Sequence, residues 1–423
     1  MRILSLLAAL LLTVATVIAA EPVDTRQGPI APGFKSLTVS LESDLMADPV
    51  ITLGSGERIL VSFDELAMDR RYMRYSLTHC DSRWQPEDLV DSEFLDSFNE
   101  GEVEDYAFSR ATLVHYVNYR ITIPNDQVRI TQPGNYLLRV WDEQEPDSTL
   151  LQARFCVVDP AVDIAATVSS RTDIDVNHSH QQLALALSPR ALPIADPFND
   201  IKVVITQNGR PDSEVHLQAP QRLEGNRLIY EHMPALIFPA GNEYRRFETV
   251  TDNYPGIGID HIDRSGELFE AYLQLDQPRT DEPYQYDETQ HGRFLVRASG
   301  VSDSSTEADY MLTHFSLTLP TFPQGLVYLD GNLTDRRFSP EALMDYNPST
   351  GLNEKTLLLK QGSYNYQYLL LTPGDTSAST APIEGDNYQT SNEYTIRVYH
   401  RPRGSRMDRL VGVTTITSNG RNY

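Results

Sequence analysis

The sequence predicts an all-β protein built from consecutive immunoglobulin-like β-sandwich domains. Apolar and aromatic residues alternate with polar ones in many short segments, and alternation with period two buries one face of a strand. Clusters of Pro, Gly, Asn and Asp separate these segments, whereas segments with helical periodicity are rare. Short strands joined by regularly spaced turns are typical of a β-sandwich. Only short helices are expected, at 87–95 and 340–344.

Strand patterns fall into blocks along the chain. In the first block, the segments 115–123 and 135–141 show the alternation clearly. A second block carries strand patterns at 201–207 and 310–319. The polar region 249–266 between them is expected to be a long loop.

The third block, from residue 326 onward, has its own order of strand and turn patterns. In one of its strands, Tyr364, Tyr366 and Tyr368 share one face. This order resembles an early-set immunoglobulin-like domain of the glycogen-binding type. The predicted division of the chain is a signal peptide at 1–20, an N-terminal β-sandwich domain at 21–160, a middle β-sandwich domain at 161–320 and a C-terminal early-set immunoglobulin-like domain at 321–423.

Residues 1–20 have the features of a cleavable secretory signal peptide. Arg2 gives a positive start, an apolar run extends to Ile18, and Ala19 and Ala20 supply small residues for cleavage. A membrane anchor is the alternative, but the run is marginal in length and no basic charge follows it. No later stretch is apolar enough to span a bilayer. We therefore predict an exported chain without direct membrane insertion.

The chain of 423 residues is strongly acidic, with a formal net charge of −24. An acidic surface repels nucleic acid and anionic lipid, so neither is expected as a partner. The charge keeps the protein soluble, and it would also complement a basic surface on another protein.

Both cysteines and both tryptophans lie in the first block. Cys80 and Cys156 could pair in an oxidising compartment, or they could serve as small buried hydrophobes. We expect two free, buried thiols. Trp84 and Trp141 are expected to fill the core of this block, so the third block has no tryptophan platform for a sugar.

Catalytic arrangements are not evident in the sequence. No nucleophile elbow is present, and the glycines at 256–258 lack the third glycine and the helix of a dinucleotide-binding loop. His79 and His115 lie in strand patterns and are expected to be core histidines. Glu102 and Glu104 could act as an acid and a base, but such pairs arise by chance in an acidic chain.

One polar run raises the alternative of a metal site. Asp173, Asp175, His178 and His180 offer carboxylate and imidazole ligands within a few residues. Short polar runs of this kind are more often exposed loops. We predict that the chain is not an enzyme, holds no metal and needs no cofactor.

A series of ordered motifs carries a family resemblance. These motifs occupy residues 75–86, 108–112, 116–124, 133–136, 240–248, 308–310, 315–317, 359–368, 392–396, 401–402 and 408–412. Together they are similar to the plug protein of the type IX secretion system, a family of Bacteroidetes-type bacteria. Each motif alone is weakly specific, but their order covers nearly the whole chain.

The resemblance implies a periplasmic protein associated with the outer membrane. Members of the family bind the outer-membrane translocon β-barrel and close its periplasmic opening while it is not engaged with cargo. The alternatives are a carbohydrate-binding β-sandwich protein and a hydrolase. Asp335-Arg336-Arg337 stands where glycogen-binding relatives place an aromatic residue, which argues against sugar binding. The contact surface is not predicted, although the 249–266 loop and the tyrosine-rich turns are candidates.

Overall fold

The computed structural model describes residues 24–319 and 324–418, so the predicted signal peptide lies outside the described residues. Within these ranges the chain is nearly all β, with antiparallel sheets packed face to face, and the predicted all-β fold of consecutive β-sandwiches is confirmed. The early-set detail stays a prediction. The described helices are the single-turn α-helix Ser304–Glu307 and the 3-10 helices Asp91–Glu93, Pro211–Ser213, Pro234–Leu236 and Asn332–Thr334.

The first sandwich has two sheets with one shared core. Its strands are β1 (Gly28–Pro29), β2 (Phe34–Leu41), β3 (Val50–Thr52), β4 (Ile59–Glu65), β5 (Met73–Cys80), β6 (Gly101–Glu102), β7 (Asp105–Phe108), β8 (Val117–Ile123), β9 (Gly134–Asp142) and β10 (Glu145–Val158). One sheet has the order β1-β10-β9-β5-β6, with β3 beside β10, and the other has the order β2-β4-β8-β7. Alternate residues such as Val61, Tyr119 and Phe155 meet in the core between them.

The second sandwich begins directly after the first. Its first strands are β11 (Val162–Ser169), β12 (His180–Pro189), β13 (Ile201–Gln207), β14 (Val215–Leu217), β15 (Arg222–Glu224), β16 (Arg227–Tyr230) and β17 (Ile237–Pro239). One sheet runs β11-β12-β16-β15, with β17 beside β12. The facing sheet starts with β14-β13 and is completed by strands from the end of the chain.

The third sandwich has an aromatic core. Its strands are β18 (Arg245–Glu248), β19 (Ile259–Asp263), β20 (Glu270–Leu273), β21 (Phe294–Val296), β22 (Tyr310–Leu317), β23 (Leu326–Asp330), β24 (Asp345–Asn347), β25 (Leu352–Lys360) and β26 (Gly362–Leu371). Tyr364, Tyr366 and Tyr368 alternate along β26 and are all buried against Phe247 and Phe315, so their predicted common face is confirmed. A stacked pair joins Phe247 to Tyr364 at 4.9 Å between ring centroids.

The last two strands, β27 (Glu393–His400) and β28 (Arg409–Thr417), return to the second sandwich and give its second sheet the order β14-β13-β27-β28. The sheets therefore pair across the predicted boundary at residue 320: Val203 pairs with Val398, and β22 pairs with β25. The division into domains remains a proposal. The pairing favours a version in which the third sandwich is inserted into the second.

The first and second sandwiches share a small hydrophobic cluster. Cys80, Trp84 and Cys156 of the first sandwich pack with Val204 and Tyr399 of the second. The Tyr399 hydroxyl also donates a hydrogen bond to Asn135 Oδ1, at 2.8 Å. Because apolar and polar contacts both cross the junction, these two sandwiches form a stiff unit.

A buried ion pair joins the first and third sandwiches. Lys360 Nζ on β25 lies 2.6 Å from Asp64 Oδ2 on β4, and both side chains are only 1% exposed. Tyr310 and Asn118 each donate a hydrogen bond to the same carboxylate, at 2.8 Å. Lys360 Nζ also lies 3.9 Å from the centroid of the Tyr116 ring. Each charge therefore has several partners.

Some local predictions were wrong. The expected long loop at 249–266 contains strand β19, which pairs with β20. The expected helix at 87–95 is reduced to the turn Asp91–Glu93, and 340–342 form a turn instead of a helix. Short polar or mixed segments carry little periodicity, so the partner strand or the surrounding packing decides their conformation.

Candidate partner-binding surface

The two histidines predicted to lie in strands have different positions. His79 is buried, with Nδ1 2.8 Å from a Glu87 carboxylate oxygen and Nε2 3.2 Å from the Pro133 carbonyl oxygen, so it is a satisfied core histidine as predicted. His115 is exposed in the loop before β8, so its prediction was wrong. The alternation that suggested a core position begins only at Val117.

The polar run that raised the metal alternative forms separate pairs. His180 Nδ1 lies 2.6 Å from an Asp175 carboxylate oxygen. Asp173 contacts His232, at 2.9 Å, and Gln182. Within residues 24–319 and 324–418, no group of three or more His, Cys, Asp or Glu side chains is placed to hold a metal ion. These contacts hold the loop before β12 against the first residues of that strand.

Cys80 and Cys156 are both free and buried. They pair with Asn135 from opposite sides of β9, which places them two strands apart. Two strand spacings put their Cα atoms about 10 Å apart, beyond the roughly 7 Å reach of a disulfide. The expectation of two free thiols is confirmed.

Both thiols are expected to be unreactive in the folded protein. Burial raises the pKa of Cys80 to about 12 and also raises that of Cys156. Because the thiolate is the reactive form, a thiol-titrating disulfide reagent at about pH 8 should find no reactive thiol in the native chain and two after unfolding. Rapid labelling of the native chain would contradict this placement.

The tryptophans divide between two environments. Trp141 is buried on β9, but it lies outside the first core, on the face of the strand where the Arg139 guanidinium carbon is 5.0 Å from its ring centroid, so the prediction that it fills this core was wrong. Trp84 lies in the cluster between the first and second sandwiches, so the prediction that it fills the first core was wrong. Its indole instead stacks against the Arg154 guanidinium, with 4.6 Å between the guanidinium carbon and the ring centroid.

An aromatic patch lies at one edge of the first sandwich. The Arg70 guanidinium carbon is 4.3 Å from the centroid of the Tyr72 ring and 4.4 Å from that of Tyr106. Phe108 packs edge-on against Tyr106 at 5.8 Å. Met68 lies two residues before Arg70. We call these five residues the edge patch.

The edge patch is exposed, and contacts within it order four of its five side chains, those of Arg70, Tyr72, Tyr106 and Phe108. Tyr72 is 60% exposed, Phe108 is 47% exposed and Met68 is 68% exposed. Tyr106 packs on the first core, and among the described residues β7 has only β8 as a partner strand. Tyrosine, arginine, phenylalanine and methionine are the residue types enriched at the centres of protein interfaces. The patch is therefore suited to bind a protein.

An acidic rim borders the edge patch. Asp69, Glu104 and Asp105 are exposed, and none of them makes an ion pair with another described residue. Glu102 is also exposed and pairs with Arg74 at 3.2 Å. Glu102 and Glu104 therefore lie in an open position and form no enclosed acid–base site. Unpaired carboxylates around an aromatic centre favour a partner with a basic surface.

Sequence reasoning did not find the edge patch. Met68, Arg70 and Tyr72 lie in the loop between β4 and β5, whereas Tyr106 and Phe108 lie on β7. The alternation of Tyr106 and Phe108 was the one available signal, but it did not reveal that the loop folds over them.

The surfaces named as candidates from the sequence are less suitable. Tyr364, Tyr366 and Tyr368 are buried, so they offer neither a docking surface nor a platform for a sugar ring. Tyr254 and Ile257 of the 249–266 region are exposed, and among the described residues Tyr254 takes part in no ring–ring or cation–π contact.

Fold and surface together define a protein of several β-sandwiches joined into a stiff body, with an aromatic surface suited to protein binding. In the part of the chain that the structure describes, no helix combines the length and apolar character needed to cross a membrane.

Comparison with known proteins identifies the family. Residues 34–159 match the family model described as "Type 9 secretion system plug protein 1st domain", so the first sandwich of this chain belongs to the plug protein family. All five edge-patch residues fall within the matched range. No curated protein matches the chain.

The chain is also similar to solved structures. The crystal structure of a hypothetical protein from Parabacteroides merdae ATCC 43184 is 40% identical, with a TM-score of 0.91 over 93% of this chain and 99% of that one. The chain is thus similar to a protein of the same fold and extent. Pseudomonas fluorescens alkylpurine DNA glycosylase AlkC bound to DNA containing an abasic site analog matches at 17% identity over 29% of each chain, with a TM-score of 0.18 that carries no argument.

Proposed function

We propose that this chain is a periplasmic plug that binds the outer-membrane β-barrel translocon of the type IX secretion system and closes its periplasmic opening when no cargo is engaged. The match of residues 34–159 to the first domain of the plug family carries this proposal. The signal peptide expected from the sequence agrees with a periplasmic location.

The architecture supports a role that depends on stiffness. A plug must keep its shape against an opening, and the buried contacts of Asp64 with Lys360 and of Tyr399 with Asn135 fix the sandwiches to one another. The edge patch supplies an aromatic centre for docking, and the acidic rim would be attracted to a basic rim of the translocon.

Recovery of the translocon with this chain tests the proposal. The mature chain, carrying an affinity tag at its C-terminus, is incubated with detergent-solubilised outer membranes, and the proteins that remain bound are identified by mass spectrometry. The translocon barrel should be enriched over a tagged, unrelated acidic β-sandwich protein. A deletion strain should also become more permeable to small solutes, and the complemented strain should not.

The proposal fails if the purified translocon never carries this chain and the deletion strain has normal outer-membrane permeability. A carbohydrate-binding protein is the competing function. It would show saturable binding of soluble glycans by the purified chain and no enrichment of the barrel.

A further inference from the structure

A cavity of about 240 Å³ lies where the three sandwiches meet. Its lining includes Arg154 from the first sandwich, Arg397 from the second, and Arg293 and Asp335 from the third. A group bound in this junction cavity would contact all three sandwiches.

The lining of the junction cavity is basic in a protein that is otherwise acidic. Three of its lining residues carry carboxyl groups, namely Asp48, Glu214 and Asp335. Six are arginines: Arg26, Arg154, Arg293, Arg336, Arg337 and Arg397. The excess of positive charge in the lining is opposite in sign to the formal net charge of −24 for the whole chain. Overall charge therefore does not account for this lining.

Two of these arginines have only neutral hydrogen-bond acceptors among the described residues. Arg154 donates from Nε to the Thr25 carbonyl oxygen, at 2.6 Å, and from Nη2 to Thr25 Oγ1, at 2.9 Å. Arg337 donates to the carbonyl oxygens of Gln27, at 2.6 Å, and Arg26. Neither makes an ion pair within the described chain, whereas Arg293 and Arg397 do.

Partly buried guanidinium groups without a carboxylate partner are costly. Burial lowers the pKa of Arg154 to about 10, and the positive charges of Arg397 and Arg337 act in the same direction, against the opposing effect of Glu214. The stacking of Arg154 on Trp84 fixes the plane of the guanidinium without neutralising its charge. The cavity thus holds an oriented positive charge that makes no direct ion pair with a described carboxylate.

The loop that brings Asp335 and Arg337 to the cavity has an unusual backbone. Asp335 has φ 53° and Arg336 has φ 50°, both in the left-handed region. The Arg336 side chain holds the loop by donating to Asn332 Oδ1, at 2.9 Å, and to the His291 carbonyl oxygen, at 2.5 Å. Non-glycine residues in this conformation are strained and cluster at binding sites.

We propose that the junction cavity binds a small polyanion, whose carboxylate or phosphate oxygens accept hydrogen bonds from Arg154 and Arg337. Planar guanidinium groups match such oxygens in two-point contacts. The volume is below the roughly 300 Å³ at which pockets for drug-sized ligands begin, so the ligand is the size of a phosphate or a short polycarboxylate. A bound anion would fasten the three sandwiches together.

Affinity should fall as the pH rises through 7. Burial raises the pKa of Asp335 to about 7; Glu341 adds to this effect, and Arg337 and Lys35 oppose it. Asp335 is protonated below this pKa and becomes a negative charge in the cavity above it, where it competes with the ligand. Sulfate is the suitable probe because its own charge is constant between about pH 6 and pH 8.

Calorimetric titration of the full mature chain with sulfate, inorganic phosphate and citrate, at constant ionic strength, tests the proposal. At least one of these anions should bind with Kd below about 1 mM, and Arg154→Met and Arg337→Met should each weaken it about tenfold or more. Arg58→Met is the matched control, because Arg58 is an exposed arginine paired with Glu42. A preference for citrate over phosphate and sulfate identifies a carboxylate ligand, and the reverse identifies a phosphate ligand.

Asp335→Asn keeps the test decisive if the arginine variants fail to fold. Removal of this carboxyl should strengthen sulfate binding several-fold at about pH 8 and abolish the difference between about pH 6 and pH 8. The proposal is overturned if none of the three anions binds the folded wild-type chain at about 10 mM. It is equally overturned if folded Arg337→Met and Asp335→Asn both bind as the wild type does.

Discussion

Replacement of Lys360 by methionine is expected to lower the free energy of unfolding by about 3–5 kcal/mol. Lys360 and Asp64 are each 1% exposed, and the removal of the ammonium group leaves the Asp64 carboxylate buried between two sandwiches. Tyr310 and Asn118 would still donate to it, but neither carries a positive charge. Chemical denaturation followed by near-ultraviolet circular dichroism measures the loss.

The double variant Asp64→Asn with Lys360→Met separates an unpaired charge from lost packing. It should recover much of the stability, because neither buried charge remains. Arg58→Met removes an exposed ion pair with Glu42 and should change stability by less than about 1 kcal/mol. A Lys360→Met protein as stable as Arg58→Met would show that the pair does not hold the first and third sandwiches together.

Local periodicity was enough to predict several strands, but not their partners. The predicted segment 201–207 coincides with β13, because its alternation is a property of consecutive residues. Its pairing with β27, almost two hundred residues later, is not written in either segment. The insertion of the third sandwich into the second could therefore not be predicted from patterns along the chain.

The junction cavity and the edge patch were still harder to predict, because both are formed by residues that are distant in the sequence. Asp335-Arg336-Arg337 was recognised as a departure from glycogen-binding relatives, yet other residues that line the same cavity, such as Arg154 and Arg397, lie on other sandwiches. The edge patch likewise needs a loop to fold over β7. In both places the sequence supplies the chemistry of the side chains, and only the tertiary fold supplies their neighbours.

Replacement of Arg70 by alanine is expected to weaken binding to the translocon by about 2 kcal/mol, or roughly 30-fold in Kd. The Arg70 guanidinium holds Tyr72 and Tyr106 in place by stacking between them, so its loss frees both rings as well as removing one contact. Surface plasmon resonance with immobilised translocon should show the change mainly as faster dissociation. Stability should change little, since the patch lies at the surface.

The control and the acidic rim make this prediction specific. Arg129 is an exposed arginine on the same sandwich that contacts Asp96 and no aromatic ring, so Arg129→Ala should bind as the wild type does. Glu104→Gln with Asp105→Asn should instead slow association and reduce its dependence on salt, because these exposed carboxylates act at long range. If folded Arg70→Ala and Arg129→Ala bind the translocon equally well, the edge patch is not the docking surface and the contact lies elsewhere on the chain.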